Sequence, residues 1–191
     1  SFDHIEIISR NSKKKISIKK LNSLPKKLKK QIVLDLKKIT SKKKNFAQLN
    51  FKKIPNIMGV LNLTPDSFSD GGKFNNKDKA AKYAYQMIKA GANVVDIGGE
   101  STRPGSKTVS VKSEWKRISK TLKFICKRIP VSLDTRKAEI MKRGIKLGVK
   151  IINDVSGLNF DKESVNILKR HKTPFVIQHS KGSPENMQNK P

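Results

Sequence analysis

Residues 57–74 read IMGVLNLTPDSFSDGGKF, and this stretch decides the fold that we expect. It begins with seven mostly apolar residues, Ile57 to Leu63, which are typical of a buried parallel strand. A polar loop follows, with two carboxylates, several hydroxyl side chains and a Gly-Gly pair at residues 71–72. In α/β enzymes, loops of this kind leave the carboxyl ends of the strands and carry the reactive groups. The stretch therefore predicts the first βα unit of an α/β enzyme.

The alternation of strand, loop and helix then recurs along the chain. Strands are predicted at 57–63, 93–97, 130–133, 149–152 and 174–178, and helices at 77–90, 111–128, 137–147 and 161–171. Because no hairpin signal separates the strands, the pattern indicates a parallel sheet. A doubly wound open sheet is the main alternative, but the first strand lacks a Gly-x-Gly-x-x-Gly phosphate turn. The expected fold class is α/β, a TIM (β/α)8 barrel of which about the first five βα units are present, with open edges on the first and last strands.

Positive charge is concentrated at the amino end of the chain. The formal net charge is +28 at pH 7, and residues 1–56 carry 17 Lys and Arg against three acids. Such a charge could attract nucleic acid or an anionic membrane surface. However, Lys far outnumbers Arg, which is the usual residue for bidentate recognition of phosphates and bases. We therefore expect no nucleic-acid partner and interpret the charge as lysine on solvated faces.

This basic region is predicted to be a separate part of the chain. Residues 1–54 are expected to form a basic extension, and residues 55–191 the partial barrel. Residues 2–9 alternate weakly and could form one strand. An amphipathic helix is predicted at about 26–39, with an apolar face made of Leu28, Ile32, Leu36 and Ile39. Packing on the outside of the main domain is the simpler interpretation of this face, and a role at a membrane surface or on nucleic acid is the alternative.

Cys126 is the one cysteine of the sequence, which excludes an intrachain disulfide. A single thiol suits a reducing compartment, and its place in a helical pattern predicts a core residue. No apolar run has the length of a membrane span, and nothing resembles a signal peptide. We expect a cytoplasmic protein without a membrane partner. The chain begins at Ser1 and stops at Pro191 in a polar loop, so we expect a chain that is cut at both ends.

Polar residues follow the predicted strands at their carboxyl ends. They are Asn62, Asp96, Asp134, Asn153 with Asp154, and His179. Singly, such residues are often helix N-caps, and this interpretation stays open for Asp96 and Asp154. Together they would converge on the mouth of a barrel. Carboxylates and carboxamides there could accept N–H donors from a planar heterocycle with an amino-pyrimidine edge.

The loops add groups that suit a phosphorylated substrate. Thr102 and Arg103 could hold a phosphate through the hydroxyl, backbone amides and the guanidinium. Asn62 could supply a neutral oxygen to Mg²⁺, which often has few protein ligands. His179 has no partner at metal-ligand spacing and is interpreted as a residue that positions its loop. The Gly-hinged loops after the first two strands are suited to closing over a substrate.

Five motifs in succession resemble those of the dihydropteroate synthase family. They are MGVLNLTPDSFSDGG (58–72), DIGGESTRPGS (96–106), SLDTRK (132–137), INDVSG (152–157) and QHSKGSPENMQ (178–188). The resemblance covers about residues 55–191. It implies a (β/α)8 barrel that joins 6-hydroxymethyl-7,8-dihydropterin pyrophosphate to p-aminobenzoate, giving 7,8-dihydropteroate and pyrophosphate. It also implies Mg²⁺ as a cofactor and an SN1-like course.

The resemblance further implies which residues bind the substrates. Asn62 matches an asparagine that binds Mg²⁺ and pyrophosphate, and Thr102 matches a threonine that contacts the phosphate. Asp134 and Asn153 match residues that contact the pterin deep in the barrel. Asp96, in the same motif set, is also expected to bind the substrate.

Loop residues have implied roles as well. Phe68, Asp70, Arg103 and Pro104 match residues that close over the site and shape the p-aminobenzoate pocket. Asp70 and Arg103 are expected to be catalytic, because they match residues that steady the cationic intermediate. Gln178 stands where many family members have a methionine that lines the pterin pocket.

The family pattern also continues beyond what this sequence contains. Its later pterin-contacting lysine and terminal Arg-x-His are absent here, so we expect this chain alone to be inactive or nearly so. The full-length form is expected to be a homodimer. One alternative is a pterin-binding methyltransferase barrel, which the intact loops at 64–70 and 101–104 disfavour. Another is a nucleic-acid-binding protein with a degenerate barrel.

Overall fold

The computed structural model describes residues 2–41, 44–51, 55–64, 76–101 and 105–178. The chain divides into two compact units, Ser1–Lys44 and Asn45–Pro191. This division lies earlier than the boundary predicted between residues 54 and 55. The reason is that the segment after Lys44 packs with the larger unit, where Leu49 contacts Val94 and Ile151.

The smaller unit is a hairpin followed by a helix. Strands β1 (His4–Ile8) and β2 (Lys13–Ser17) pair antiparallel, and a 3₁₀ helix (Ile18–Ser23) leads to helix α1 (Lys26–Thr40). Helix α1 agrees with the predicted helix, whereas β2 was not predicted. Ile16 is the one buried apolar side chain in the described part of this unit.

The larger unit contains a five-stranded parallel sheet with a helix after each of its first four strands. The strands are β3 (Met58–Asn62), β4 (Val94–Gly98), β5 (Val131–Asp134), β6 (Ile151–Asp154) and β7 (Phe175–Ile177). The helices are α2 (Asn76–Lys89), α3 (Val111–Ile125), α4 (Ala138–Leu147) and α5 (Ser164–His171). Every predicted strand and helix of the barrel is present, with ends that differ by a few residues.

Strand order distinguishes the barrel from the doubly wound alternative. The order is β3-β4-β5-β6-β7, so each strand lies beside the next one in the sequence. A doubly wound sheet would reverse direction at a switch point, whereas a barrel adds strands in one direction. The sheet therefore has the topology of successive units of a (β/α)8 barrel, and β3 and β7 form its edges.

The core lies between the outer face of the sheet and the helices. Alternate strand residues face the helices, and the buried ones in the main cluster include Leu61, Ile97, Leu133 and Ile152. Helices α3 and α4 cover them with apolar side chains at helical spacing, among them Ile118, Leu122, Ile140 and Met141. Cys126 is buried in the same cluster, which confirms its predicted place in the core.

Local signals in the sequence explain where two of these helices begin or end. Ser110 is the N-cap of α3, and its Oγ accepts a hydrogen bond from the backbone N–H of Ser113. Gly148 ends α4 in the left-handed conformation with φ of 101°, which glycine adopts without strain. Among the described residues, no helix is long and apolar enough to cross a membrane.

Candidate active site

A polar row crosses the inner face of the sheet at its carboxyl edge. Backbone register pairs Asn62 with Gly98, Gly98 with Asp134, and Asp134 with Asn153. Residues paired in register on neighbouring strands face the same side of a sheet. The structure therefore brings these three predicted site residues into one row, at the barrel mouth where active sites of this fold lie.

Gly98 leaves a space that two side-chain oxygens of this row border. A Cβ atom built on Gly98 would lie 3.2 Å from Asp134 Oδ2 and 3.3 Å from Asn62 Oδ1. Both oxygens thus lie directly above the Gly98 backbone. A carboxylate and an amide oxygen converging on one point are suited to accept N–H donors or to contact a hard cation.

A second polar layer lies deeper on the same face. Asp96 pairs in register with Ser132, two residues before Gly98 and Asp134. Asn153 Nδ2 donates a hydrogen bond to Asp96 Oδ2 at 3.0 Å. Asp96 Oδ1 and Ser132 Oγ are buried and have no hydrogen-bond partner among the described residues. Since buried polar atoms are nearly always paired, we expect these two atoms to be joined by a rotation of the Ser132 hydroxyl or by one buried water.

The position of Asp96 excludes its interpretation as a helix N-cap. It lies in the middle of β4 and not at the end of a strand. Its side chain is 4% exposed and is directed to the inner face with Ser132. The sequence pattern placed Asp96 at the end of its strand, whereas β4 continues past it to Gly98.

The site is acidic, and burial makes its carboxyl groups hard to ionise. Burial, as the main cause, and the neighbouring carboxylates, of which Asp96 contributes most, together raise the pKa of Asp134 to about 7. Burial also raises the pKa of Asp96, and its hydrogen bonds oppose this effect in part. Groups with such values in a barrel mouth are typical of functional sites.

Asp154, at the end of β6, has a structural task. Its carboxylate accepts hydrogen bonds from the backbone N–H and the hydroxyl of Ser156 and from the backbone N–H of Leu158. These bonds shape the loop after β6 and do not cap helix α5. Gln178 directly follows β7, and its backbone N–H donates to the Asp154 carbonyl at 3.4 Å.

A buried cluster of charges lies beside the site and was not predicted. Arg136 Nε donates to Glu100 Oε2 at 2.9 Å, and Lys137 Nζ donates to Glu100 Oε2 at 2.9 Å and to Glu114 Oε2 at 2.6 Å. Thr135 Oγ1 completes the cluster by donating to Glu114 Oε1 at 2.6 Å. The adjacent cations Arg136 and Lys137, shortly after the end of β5, are the sequence signal that could have indicated this cluster.

This cluster holds the ends of the loops after β4 and β5. Glu100 Oε1 also accepts the backbone N–H of Val109 at 2.9 Å. Across the same loop, Ser106 Oγ donates to the Ser101 carbonyl at 2.6 Å. Five predicted site residues lie outside the described residues, and His179 does as well; the five are Phe68, Asp70, Thr102, Arg103 and Pro104.

The donor set near Asn62 is compatible with one kind of metal. Among the described residues, no group of three or more His, Cys, Asp or Glu is placed to hold an ion. A site built from many protein ligands is therefore not present in this part of the chain. Mg²⁺ differs, because it keeps several waters and is commonly bound through one or two protein oxygens and substrate phosphates. Asn62 Oδ1, exposed at the end of β3, fits that chemistry.

The chain is similar to known proteins over this unit. Residues 58–191 match the family described as pterin binding enzyme. Dihydropteroate synthase of Synechocystis is 43% identical over 135 residues, which are 70% of this chain and 47% of that protein. The chain spans about half the length of the curated relatives that it matches.

Solved structures agree with this similarity. Dihydropteroate synthase of Clostridium difficile, determined with pteroic acid, is 44% identical, with a TM-score of 0.65 over 68% of this chain and 50% of that one. The Xanthomonas albilineans enzyme with 4-aminobenzoic acid is 36% identical, with a TM-score of 0.64 over 67% of this chain and 47% of that one.

Proposed function

The chain belongs to the family of pterin-binding enzymes, and from this membership we propose that the protein is a dihydropteroate synthase. The reaction joins 6-hydroxymethyl-7,8-dihydropterin pyrophosphate to p-aminobenzoate and releases pyrophosphate. The observation that carries the proposal is the polar row Asn62–Gly98–Asp134–Asn153 at the barrel mouth. It is supported by the names of the relatives and by the pteroic acid and 4-aminobenzoic acid in two of their structures.

The inner row suits the pterin ring. An amino-pyrimidine edge presents several N–H donors in one plane, and carboxylate and amide oxygens accept them. Asp134 and Asn153 supply such oxygens side by side. Burial strengthens these bonds, because the site has a lower dielectric constant than water. Gln178, after β7, is proposed to line the same pocket.

Bond cleavage follows from this charge distribution. The bond between the pterin methylene carbon and the pyrophosphate oxygen breaks, and its electron pair leaves with the pyrophosphate. The methylene carbon and the attached ring become cationic, and the ionised Asp134 stabilises this charge. The amine nitrogen of p-aminobenzoate then forms the new C–N bond and loses a proton. No nucleophilic side chain is required.

The leaving group and the second substrate need residues of the loops. Thr102 and Arg103 are proposed to bind the phosphates, and Asp70 and Arg103 to steady the cation. Phe68 and Pro104 are proposed to shape the p-aminobenzoate pocket. Both ends of this loop are held by hydrogen bonds beside the polar row, from Ser106 to Ser101 and from Val109 to Glu100, which supports this assignment.

Asn62 is proposed to hold Mg²⁺ at the mouth. When bound there, the ion supplies positive charge that offsets the charge of the pyrophosphate. Asn62 itself would contribute an uncharged oxygen, which does not neutralise the ion, so the full positive charge would attract the phosphates. For the whole protein we further propose a cytoplasmic location and a homodimer.

Turnover by the whole protein tests the proposal. With both substrates and Mg²⁺, we expect 7,8-dihydropteroate to form and pyrophosphate to be released in equal amounts. Asn153→Ala should reduce product formation at least about tenfold, whereas Asn166→Ala, on the exposed face of α5, should not. Absence of product with the unaltered whole protein would overturn the proposal. The chain of 191 residues alone should show little or no turnover.

A further inference from the structure

One hydrogen bond on the inner face spans two strands that are not neighbours. Asn153 lies on β6 and Asp96 on β4, and the bond from Nδ2 to Oδ2 is 3.0 Å long. Strand β5 lies between them, so their backbones are separated by roughly 10 Å. Both side chains must therefore extend toward each other over β5. Each side chain must reach farther than it would in a contact between paired strands.

The residue of β5 below this bond is small. Ser132 pairs in register with Asp96, and Asp134 pairs with Asn153, so the bond passes between these two positions of β5. A larger side chain at position 132 would occupy the space that the bond crosses. Ser132 Oγ and Asp96 Oδ1 are both buried without a partner among the described residues, so a rotated hydroxyl or one buried water can join them.

The bond determines which atom of the Asn153 amide is available to a ligand. An ionised carboxylate only accepts hydrogen bonds, so the NH₂ group of Asn153 must face Asp96. The carbonyl oxygen Oδ1 is then left without a hydrogen-bond partner among the described residues. Asp96 is buried, while Asn153 is half-buried at the mouth. The ligand thus meets an acceptor at Asn153, held in place from below.

We infer that Asp96 is a positioning residue that acts on the pterin through Asn153 and does not contact the pterin itself. The inference rests on the proposed function. The strand register supports this role, because Asp96 lies one layer below the row that faces the mouth. Residues that orient a binding group from behind commonly affect affinity nearly as much as the group itself.

A double-mutant cycle on pterin binding tests the inference. The probe is 6-hydroxymethylpterin, and its affinity is measured from the fluorescence of the pterin. We expect Asp96→Ala and Asn153→Ala each to weaken binding about tenfold. The double variant should be no weaker than either single variant, because Asp96 has no effect without Asn153.

The outcomes separate the inference from the proposed function. Losses that multiply to about a hundredfold in the double variant would overturn the inference and leave the proposed function intact. An unaltered protein that does not bind the probe would overturn the proposed function and the inference with it. Asp96→Asn should restore most of the affinity lost in Asp96→Ala, since its amide oxygen can still accept from Asn153.

Two further measurements follow the side chain of Asn153 by NMR and need no ligand. The side-chain NH₂ signals of Asn153 in a ¹⁵N-labelled sample should shift in Asp96→Ala, while those of the exposed Asn166 should stay. Unchanged Asn153 signals would overturn the inference. At position 132, Ser132→Ala should keep these signals and Ser132→Val should alter them, because valine fills the space that the bond crosses.

Discussion

Lys137 Nζ and Glu114 Oε2 are 2.6 Å apart, in side chains that are 6% and 0% exposed. Glu114 is in the first turns of α3, and Lys137 directly precedes α4. The pair therefore joins the beginnings of two helices behind the carboxyl ends of β4 and β5. Glu100 binds the same ammonium group and adds the loop after β4 to the cluster. The framework around the site depends on charges that are shielded from water.

Removal of the Lys137 charge should destabilise the larger unit strongly. Lys137→Met leaves Glu100 and Glu114 buried with less positive charge beside them, and loss of one partner of a buried pair costs about 3–5 kcal/mol. Urea denaturation should show this loss in the free energy of unfolding. Lys146→Met, at an exposed position of α4, should change it by less than about 1 kcal/mol.

The double variant Lys137→Met/Glu114→Gln distinguishes charge from packing. If the cost comes from an unpaired buried carboxylate, Glu114→Gln should restore part of the stability that Lys137→Met removes. Additive losses would show that the buried charge of Glu114 is not the cause.

The thiol of Cys126 should react only when the larger unit opens. Burial raises the pKa of Cys126 to about 12, so the reactive thiolate is scarce at neutral pH and the sulfur is also shielded. Labelling with a thiol reagent at pH 8 should be slow in buffer and reach one thiol per chain in urea. Rapid labelling of the folded chain would contradict the packing of Cys126 in the core.

The regular parts of the barrel could be predicted because their hydrophobic patterns are local. Ile57 to Leu63 predicted β3, and the apolar stripe of α3 predicted that helix within a few residues. Strand β2 was missed because its sequence, KKKIS, has one buried apolar residue, Ile16. Pairing with β1 forms it, and that contact is not encoded in its own pattern.

Prediction of the site geometry requires the register of the strands, which sequence patterns do not give. Asn62, Asp134 and Asn153 were expected at one mouth, but the row through Gly98 appears only when the strands are aligned. The charge cluster was missed for a similar reason. Glu114 and Lys137 are 23 residues apart, so their contact depends on how α3 and α4 pack.

Pterin affinity should depend on pH through Asp134. Its pKa is about 7 in the free site, and N–H donors of the ligand bind the ionised form. Affinity should therefore be half of its plateau value near pH 7, level off above about pH 8, and fall by up to about tenfold per unit as the pH decreases well below 7. Titrations with 6-hydroxymethylpterin between about pH 5 and about pH 8.5, in buffer without divalent ions, measure this change.

Asp134→Asn is the control for this pH dependence. The variant should bind more weakly at pH 7.5, and its affinity should change less between pH 5 and pH 7 because the main titrating group is gone. A pH profile that is the same in the variant would assign the titration to another group, such as Asp96, whose pKa burial also raises.

Gly98→Ala should damage the site while leaving the fold nearly intact. The new methyl group would lie 3.2 Å from Asp134 Oδ2 and 3.3 Å from Asn62 Oδ1, so both side chains must move by a few tenths of an ångström. Asn62 is exposed and Asp134 is half-buried, so we expect little loss of stability. A displaced Asp134 carboxylate binds the pterin poorly, and affinity should fall at least about tenfold.

Gly59→Ala is the matched control on β3. Its methyl group would meet the side chain of Met87 on α2, with Sδ at 2.8 Å, on the face of the sheet opposite to the site. This variant should lose some stability, because the methionine must shift, and keep its pterin affinity. Gly98→Ala should therefore lower the pterin affinity with little effect on stability, and Gly59→Ala should do the reverse. Unchanged affinity in Gly98→Ala would mean that Asp134 does not meet the pterin above Gly98.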